Sequence, residues 1–399
     1  MNGHLPYERE RPALSSSRLA VLTAVLALAL TACSGLSAAP KPTKSSVDYG
    51  AQAMQATQAA ISGTYHEPSA QPRPAAPGKK LAVISSGQNA ISSLVPANSV
   101  MEAAHAIGWD AQLYDGKLDP KSWPALVSQA VASGVQGIVL VAVDCPAVAK
   151  PLAEAKAKGI KIVGIFAFDC NDPLFGGNGP ALFSSYVDFG PPVNRNIDDF
   201  SDLYGADQAN TTIAQTNGAA KVVLVTDNEF TSIRHVVEGF RNTIAKCATC
   251  SVVGEVDIKA ADLTTPNAEA AVEKALREHP NANAVKSPYT AATLAAVSPA
   301  VLKVNRAASL YVMGGEGFEP ELDLIRKHQG VSAVTIIPSD WYGWAAVDTV
   351  NSLFIGQEPA DSGLGWQLID DEVNPPSNNA YKPTIDFRGA YRAAWGKTG

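Results

Sequence analysis

The clearest pattern in the chain is an apolar run at residues 134–146, Gly-Val-Gln-Gly-Ile-Val-Leu-Val-Ala-Val-Asp-Cys-Pro. A half-exposed strand alternates apolar with polar positions, so an unbroken Val- and Ile-rich run predicts a central parallel strand covered on both faces. Asp144 then stands at an N-cap and Pro146 in a first helical turn, so the strand feeds straight into a helix. The flanks repeat the alternation. Upstream, Asp119 can cap a helix beginning at Pro120, with Trp123, Leu126, Val127, Ala130 and Val131 on one face of a 3.6-residue period and Gly134 as its stop. Downstream, Val148, Leu152 and Ala155 mark a buried helical stripe that ends at Gly159, and residues 160–168 form a further apolar strand closed by Asp169 and Cys170. This α-β-α-β order is that of a right-handed doubly wound sheet, in which ligands bind at the carboxyl edge.

The same alternation extends both ways. Residues 79–84 read as a strand running into Ser85, Ser86, Gly87, Gln88 and Asn89, then a helix near Pro96 with Val100, Ala103, Ala104 and Ile107 inward, and a strand at 109–114 closing on Asp115. Residues 183–187 read as a strand leaving this half, followed by an irregular insert at 188–200. The pattern then restarts with a helix at 204–216, a buried strand at 221–225 ending near Asp227, and a helix with Ile233, Val236, Val237, Phe240 and Ile244 inward. Thr265-Pro266 opens another helix, and strands follow at 282–286, 309–313 and 331–337. Their outgoing loops carry Tyr289, Glu316 with Phe318, and Trp341. Two similar half-chains predict an α/β protein of two lobes, each a doubly wound parallel sheet, facing one cleft. The Gly-rich stretch 176–179 lacks the Lys-Ser/Thr of a phosphate loop.

Composition changes this picture at the N-terminus. Arg9, Arg11 and Arg18 precede a 12-residue apolar run at 19–30, too short for a ~20-residue membrane span and right for a signal segment. It ends Leu30-Thr31-Ala32-Cys33, which resembles a bacterial lipobox. The expected mature chain therefore begins at a lipid-bearing Cys33, on the outer face of the bacterial cytoplasmic membrane. Residues 34–46 read as a flexible tether, 47–61 as a weakly apolar helix, and 63–78, with four prolines, as an extended linker. The formal charge of −7 over 399 residues, with no basic cluster, excludes a nucleic-acid partner. The six His stand beside no Ser, Cys or paired carboxylate in a recognisable motif, so no enzyme, metal site or cofactor is expected. Four Cys remain after Cys33, and export favours disulfides. Cys145 and Cys170 each follow a strand at one edge of one sheet and are expected to pair, leaving Cys247-x-x-Cys250 as a local clip.

Over residues 79–372 the chain resembles the type 1 periplasmic binding proteins, in their ribose- and galactose-like branch. The stretches that carry the resemblance are Met101-Glu102-Ala103-Ala104-His105-Ala106-Ile107-Gly108, the run 134–140, Ala155-Lys156-Ala157-Lys158-Gly159-Ile160, and Arg234 five residues before Gly239-Phe240. The resemblance implies two Rossmann-like lobes joined by three hinge crossings, near 184–188, 338–339 and 368–373. Lobe 1 then spans 79–185 with a return at about 340–368, lobe 2 spans 186–337 with a return at about 369–386, and 387–399 is a tail. It further implies a monomer that closes on a small solute, most often a sugar, and presents it to an ABC permease. A ligand-sensing partner of a membrane receptor is the alternative role, and an aromatic or carboxylate solute the alternative cargo. Arg234 matches the ligand-binding Arg, Glu316 stands where an Asp binds hydroxyls, Asp169 stands for the acid after the fourth strand, and Gln88 with Asn89 match the loop after the first. With the strand-end residues Asp115, Asp144, Asp227, Tyr289, Phe318 and Trp341 these form the expected ligand contacts. Phe166 and Phe168 join the aromatic candidates. Pro288-Tyr289 and Ile337 replace two amide side chains common in sugar binders.

Overall fold

A computed structural model describes residues 49–370, 374 and 381–397. The expected signal segment, Cys33 and the tether lie outside the described residues. The first described element is α1 (Tyr49–Ser62). Lobe 1 follows as β1 (Lys80–Ser85), α2 (Ile91–Ile107), β2 (Asp110–Asp115), α3 (Trp123–Ala132), β3 (Gly137–Val141), α4 (Cys145–Ala157) and β4 (Lys161–Ile165). Its sheet has the order β2-β1-β3-β4 with every pairing parallel, and all five residues of β3 are buried. The unbroken apolar run thus sits at the sheet centre with helices on both faces, as its composition requires. α3 starts at Trp123, not Pro120, because Asp119 forms a turn that accepts from Lys121 N. Residues 183–187 form no strand. Ser185 makes a single bridge to Val163 and then the chain leaves the lobe.

Lobe 2 comprises α5 (Ile197–Gln215), β5 (Lys221–Thr226), α6 (Thr231–Ile244), β6 (Ser251–Asp257), α7 (Asn267–Glu278), β7 (Ala284–Lys286), α8 (Thr290–Ala292), α9 (Ser298–Lys303), β8 (Tyr311–Met313), α10 (Glu319–Arg326) and β9 (Ala333–Ile336). α5 begins seven residues ahead of the expected helix, because Asn196 accepts from the amides of Asp198 and Asp199 and caps it. α5 and α6 cross at backbone contact. A Cβ at Gly239 would lie 2.0 Å from Asp202 O, and one at Gly205 would lie 2.0 Å from Val236 O. α11 (Ser339–Phe354) then returns to pack on α2 in lobe 1. β10 (Gln367–Asp370) joins the second sheet beside β9, giving the order β10-β9-β8-β7-β5-β6. That pairing is antiparallel, an exception to the expected all-parallel sheets. Residues 355–366 connect α11 to β10. Finally α12 (Phe387–Ala394) packs on α11, with Tyr391 and Trp395 buried.

The segment expected to be an extended linker is part of the core. α1 packs on α5 and β10 of lobe 2, while residues 73–76 are held by lobe 1. Arg73 is 1% exposed, and its Nε donates to both carboxylate oxygens of Asp348 on α11 at 2.9 and 2.8 Å. Its remaining nitrogens donate to Gln71 O and Ser69 O. Proline removes amide donors without preventing such pairing, so the composition conceals it. The chain therefore straps the back of the hinge before lobe 1 begins. No helix of the described residues is long and apolar enough to cross a membrane.

Candidate functional site

The carboxyl edges of the two sheets face each other, and the loops leaving their strands enclose a cavity of ≈ 260 Å³. That lies just below the ~300–1,000 Å³ typical of small-molecule sites. Lobe 1 contributes Asn89 and Ser92 from the β1 loop and the start of α2, and Phe166 and Phe168 from the β4 loop. Ala142 and Phe166, each immediately after its strand, both line the cavity and both hold positive φ, 51° and 49°. This conformation is costly for a residue with a Cβ, and it turns the two strand ends toward the cleft. Lobe 2 contributes Phe200 and Tyr204 from α5, Phe230 before α6, and Tyr289 and Glu316 from the β7 and β8 loops. The hinge side adds Ile337, Ser339 and Tyr342, whose ring meets Phe166 edge-on at 5.1 Å.

The polar anchors of this wall are fixed from behind. Tyr204 donates to Thr335 O at 2.5 Å, and Tyr289 donates to Asp227 Oδ2 at 2.7 Å. Burial pushes Asp227 up to about 6. Glu316 accepts from Thr290 N at 2.6 Å, a contact possible because a Cβ at Gly315 would lie 2.1 Å from that same nitrogen. Burial raises its pKa, an effect that the Ser92 hydroxyl of lobe 1 and Thr290 only partly offset.

Of the residues expected to touch ligand, Asn89, Phe166, Phe168, Tyr289 and Glu316 line the cavity. The others have different partners. Gln88 and Asp115 belong to one turn, in which Gln88 N donates to Asp115 Oδ1 and Gln88 Nε2 to Ser85 Oγ. Asp169 accepts from the amides of Cys170, Leu182 and Phe183, closing the loop after β4. Asp144 does not cap α4 with its side chain; it accepts from Phe168 N and, across the cleft, from Thr231 N. Its pKa is pushed to about 6 by burial. Arg234 reaches Leu174 O of lobe 1 outside the cavity. Phe318 precedes α10 beyond the cavity wall, and Trp341 is fully buried, stacked on Phe387 at 5.1 Å with its Nε1 donating to Ser362 O. Cys145 and Cys170 are bonded, as are Cys247 and Cys250.

A second set of contacts joins the lobes beside the cavity. His235 on α6 is 4% exposed, and its Nε2 lies 2.9 Å from Asp172 Oδ2 in the loop after β4. Asp198 and Asp202 of α5 approach the same ring at 3.7 and 4.0 Å, and Phe168 stacks on it at 4.7 Å. Burial alone would lower the imidazole pKa, but the hydrogen bond and charge of Asp172, with Asp198 and Asp202, outweigh it and raise it. When protonated, the ring supplies a cation to these carboxylates.

The geometry is that of two α/β lobes whose loops enclose one cavity. The periplasmic binding protein domain model matches residues 93–358, well over half of the chain. This chain is a member of the periplasmic binding protein domain family. A glucose-galactose binding protein from Geobacillus stearothermophilus is 16% identical with a TM-score of 0.61, the match covering 74% of this chain and 98% of that one. An ABC transporter solute binding protein from Mycobacterium smegmatis with bound glycerol is 19% identical, TM-score 0.60, over 77% and 100%. One from Agrobacterium vitis bound with alpha-D-tagatopyranose is 16% identical, TM-score 0.62, over 73% and 94%. At these identities the likeness concerns the fold. No curated protein matches the sequence.

In this periplasmic binding protein the wall residues that sequence reasoning missed are Phe200, Tyr204, Phe230 and Tyr342. Phe230 follows the strand-end acid Asp227 by three residues and could have been found as a loop aromatic at the carboxyl edge. Phe200 lay in the stretch read as irregular, and Tyr204 and Tyr342 are helix residues whose direction no local pattern gives.

Proposed function

We propose that this periplasmic binding protein captures a small carbohydrate by cleft closure and presents it to an ABC permease. The observation that carries the reading is the enclosed ≈ 260 Å³ cavity walled by aromatic rings from both lobes, with hydroxyls, an amide and a carboxylate between them. Flat rings cover the apolar faces of a sugar while the polar groups meet its hydroxyls. A solute that touches both walls favours the closed form by the difference between its affinities for closed and open. The bound molecules of the glycerol and tagatose structures support this class of cargo. The test is native mass spectrometry of protein purified without added ligand, followed by calorimetry with a panel of pentoses, hexoses and polyols. A retained or titrating sugar is the expected result, and saturation by a non-sugar alone would refute it.

The chain is further proposed to be held at the membrane by acyl groups on Cys33. Each buried CH₂ contributes ~0.8 kcal/mol, and the described residues offer no spanning helix as a substitute. Cys33→Ser is expected to move the protein from the membrane to the soluble fraction, and unchanged partition would end the lipid-anchor assignment.

A further inference from the structure

Among the described residues lining the cavity, Glu316 is the sole charged side chain; the remainder are rings, aliphatic groups, hydroxyls and one amide. Its charge is not balanced from behind. The neighbouring cation, Lys286, is fully buried and donates to Ser287 O, and it lies in the field of two carboxylates, Glu321 and Glu316. Glu321 is saturated by Gly315 N, Gly317 N and Thr290 Oγ1, so Lys286 and Glu321 offset each other and one negative charge remains at the cavity wall. Arg234, the other cation expected here, is turned to Leu174 O. The groups behind the wall are mostly acidic: Asp227 accepts the Tyr289 hydroxyl, with Glu229 nearby, and Asp144 lies behind Phe168, while Lys259, the cation that reaches Asp227 and Glu229, is paired with Asp257 at 2.9 Å. Seven aromatic rings, Phe166, Phe168, Phe200, Tyr204, Phe230, Tyr289 and Tyr342, line the same space.

We propose that the solute carries a protonated amine held at Glu316, so that within the carbohydrate reading, on which this rests, it is an amino sugar or amino polyol. An ammonium restores neutrality at the wall and donates up to three hydrogen bonds, and any ring that turns its face to it adds a cation–π contact. A neutral hydroxyl donates one hydrogen bond and leaves a buried carboxylate uncompensated. A carboxylate solute meets Glu316 as a like charge. Burial raises the pKa of Glu316, and an ammonium beside it would favour the ionised carboxylate again.

Matched pairs separate these cases: glucosamine against glucose and galactosamine against galactose, with choline as a sugar-free cation, titrated by calorimetry into the full mature chain and into Glu316→Gln. The amino member of a pair is expected to bind wild type at least ~10-fold more tightly, and the Gln variant to lose that preference while keeping its fold by circular dichroism. Equal or tighter binding of the neutral member to wild type overturns the amine assignment and leaves the carbohydrate reading standing. Binding of choline with no sugar bound keeps the cation and removes the carbohydrate. Silence from all five probes overturns the assignment. The wild-type comparison decides the matter even where the variant fails to fold.

Discussion

Replacing Asp172 with Asn takes one charge out of the pair that joins the lobes beside the cavity while keeping the shape of the side chain. Its Oδ1 contact with Leu174 N can persist through the amide oxygen, so the loop after β4 should stay in place. What is lost is a 2.9 Å charge-assisted contact to His235 between side chains 2% and 6% exposed. Such a bond contributes ~1.5–3 kcal/mol. Because its partners stand on different lobes, the loss falls on closure, and solute affinity should drop about ten- to a hundred-fold. The sign of the pH dependence follows from both partners. His235 is raised above its ordinary 6.5, so its contribution is fully present below that value and fades as pH rises through the raised pKa. Burial would raise Asp172, but the bond from His235 and the amide of Leu174 hold it below its ordinary 3.8, so its contribution is present above that value and fades as pH falls through the lowered one. Asp198, pushed to about 6 by burial and by Asp172, adds to the preference for the protonated side. Calorimetric titration of wild type between about pH 5.5 and 8.5 should therefore show affinity weakening toward alkaline pH. The Asn variant should show a weaker and flatter profile. A flat profile in wild type with equal affinity in the variant would refute the reasoning.

Two further predictions concern the scaffold that holds this closure. Arg73→Met leaves Asp348 charged and buried, with Trp395 Nε1 as its remaining donor, and should lower unfolding free energy by ~3–5 kcal/mol in denaturant titration. Adding Asp348→Leu should recover most of that, and a single variant as stable as wild type would show that residues 63–78 are not part of the folded core. Gly239→Ala places a methyl 2.0 Å from Asp202 O, forcing α5 and α6 apart at an expected ~1–3 kcal/mol. An unchanged melting temperature would contradict that close approach.

The sequence by itself determined the elements whose evidence is local. The run 137–141 could only be a doubly covered strand, and its position next to 161–165 placed Cys145 and Cys170 at one sheet edge, where they bond. Of the residues that strand ends and the family resemblance singled out, Asn89, Phe166, Phe168, Tyr289 and Glu316 line the cavity, because the side on which loops gather follows from strand direction. Trp341 escaped such reasoning: here the residue after a crossing turns inward, and α12 covers it through Phe387. The antiparallel β10 is four residues long, too short to show a period, and its pairing comes from β9. Residues 63–78 carry a composition that reads the same whether the backbone is solvated or strapped to Asp348, Asn351 and Trp395. His235 and Asp172, 63 residues apart, share no motif. They meet because the loop after β4 reaches over from the other lobe, while Gly205 and Gly239 let α5 bring Asp198 and Asp202 to the same ring. Periodicity fixes which face of an element is buried, whereas the groups that meet across a cleft depend on where separately folded lobes bring their loops together.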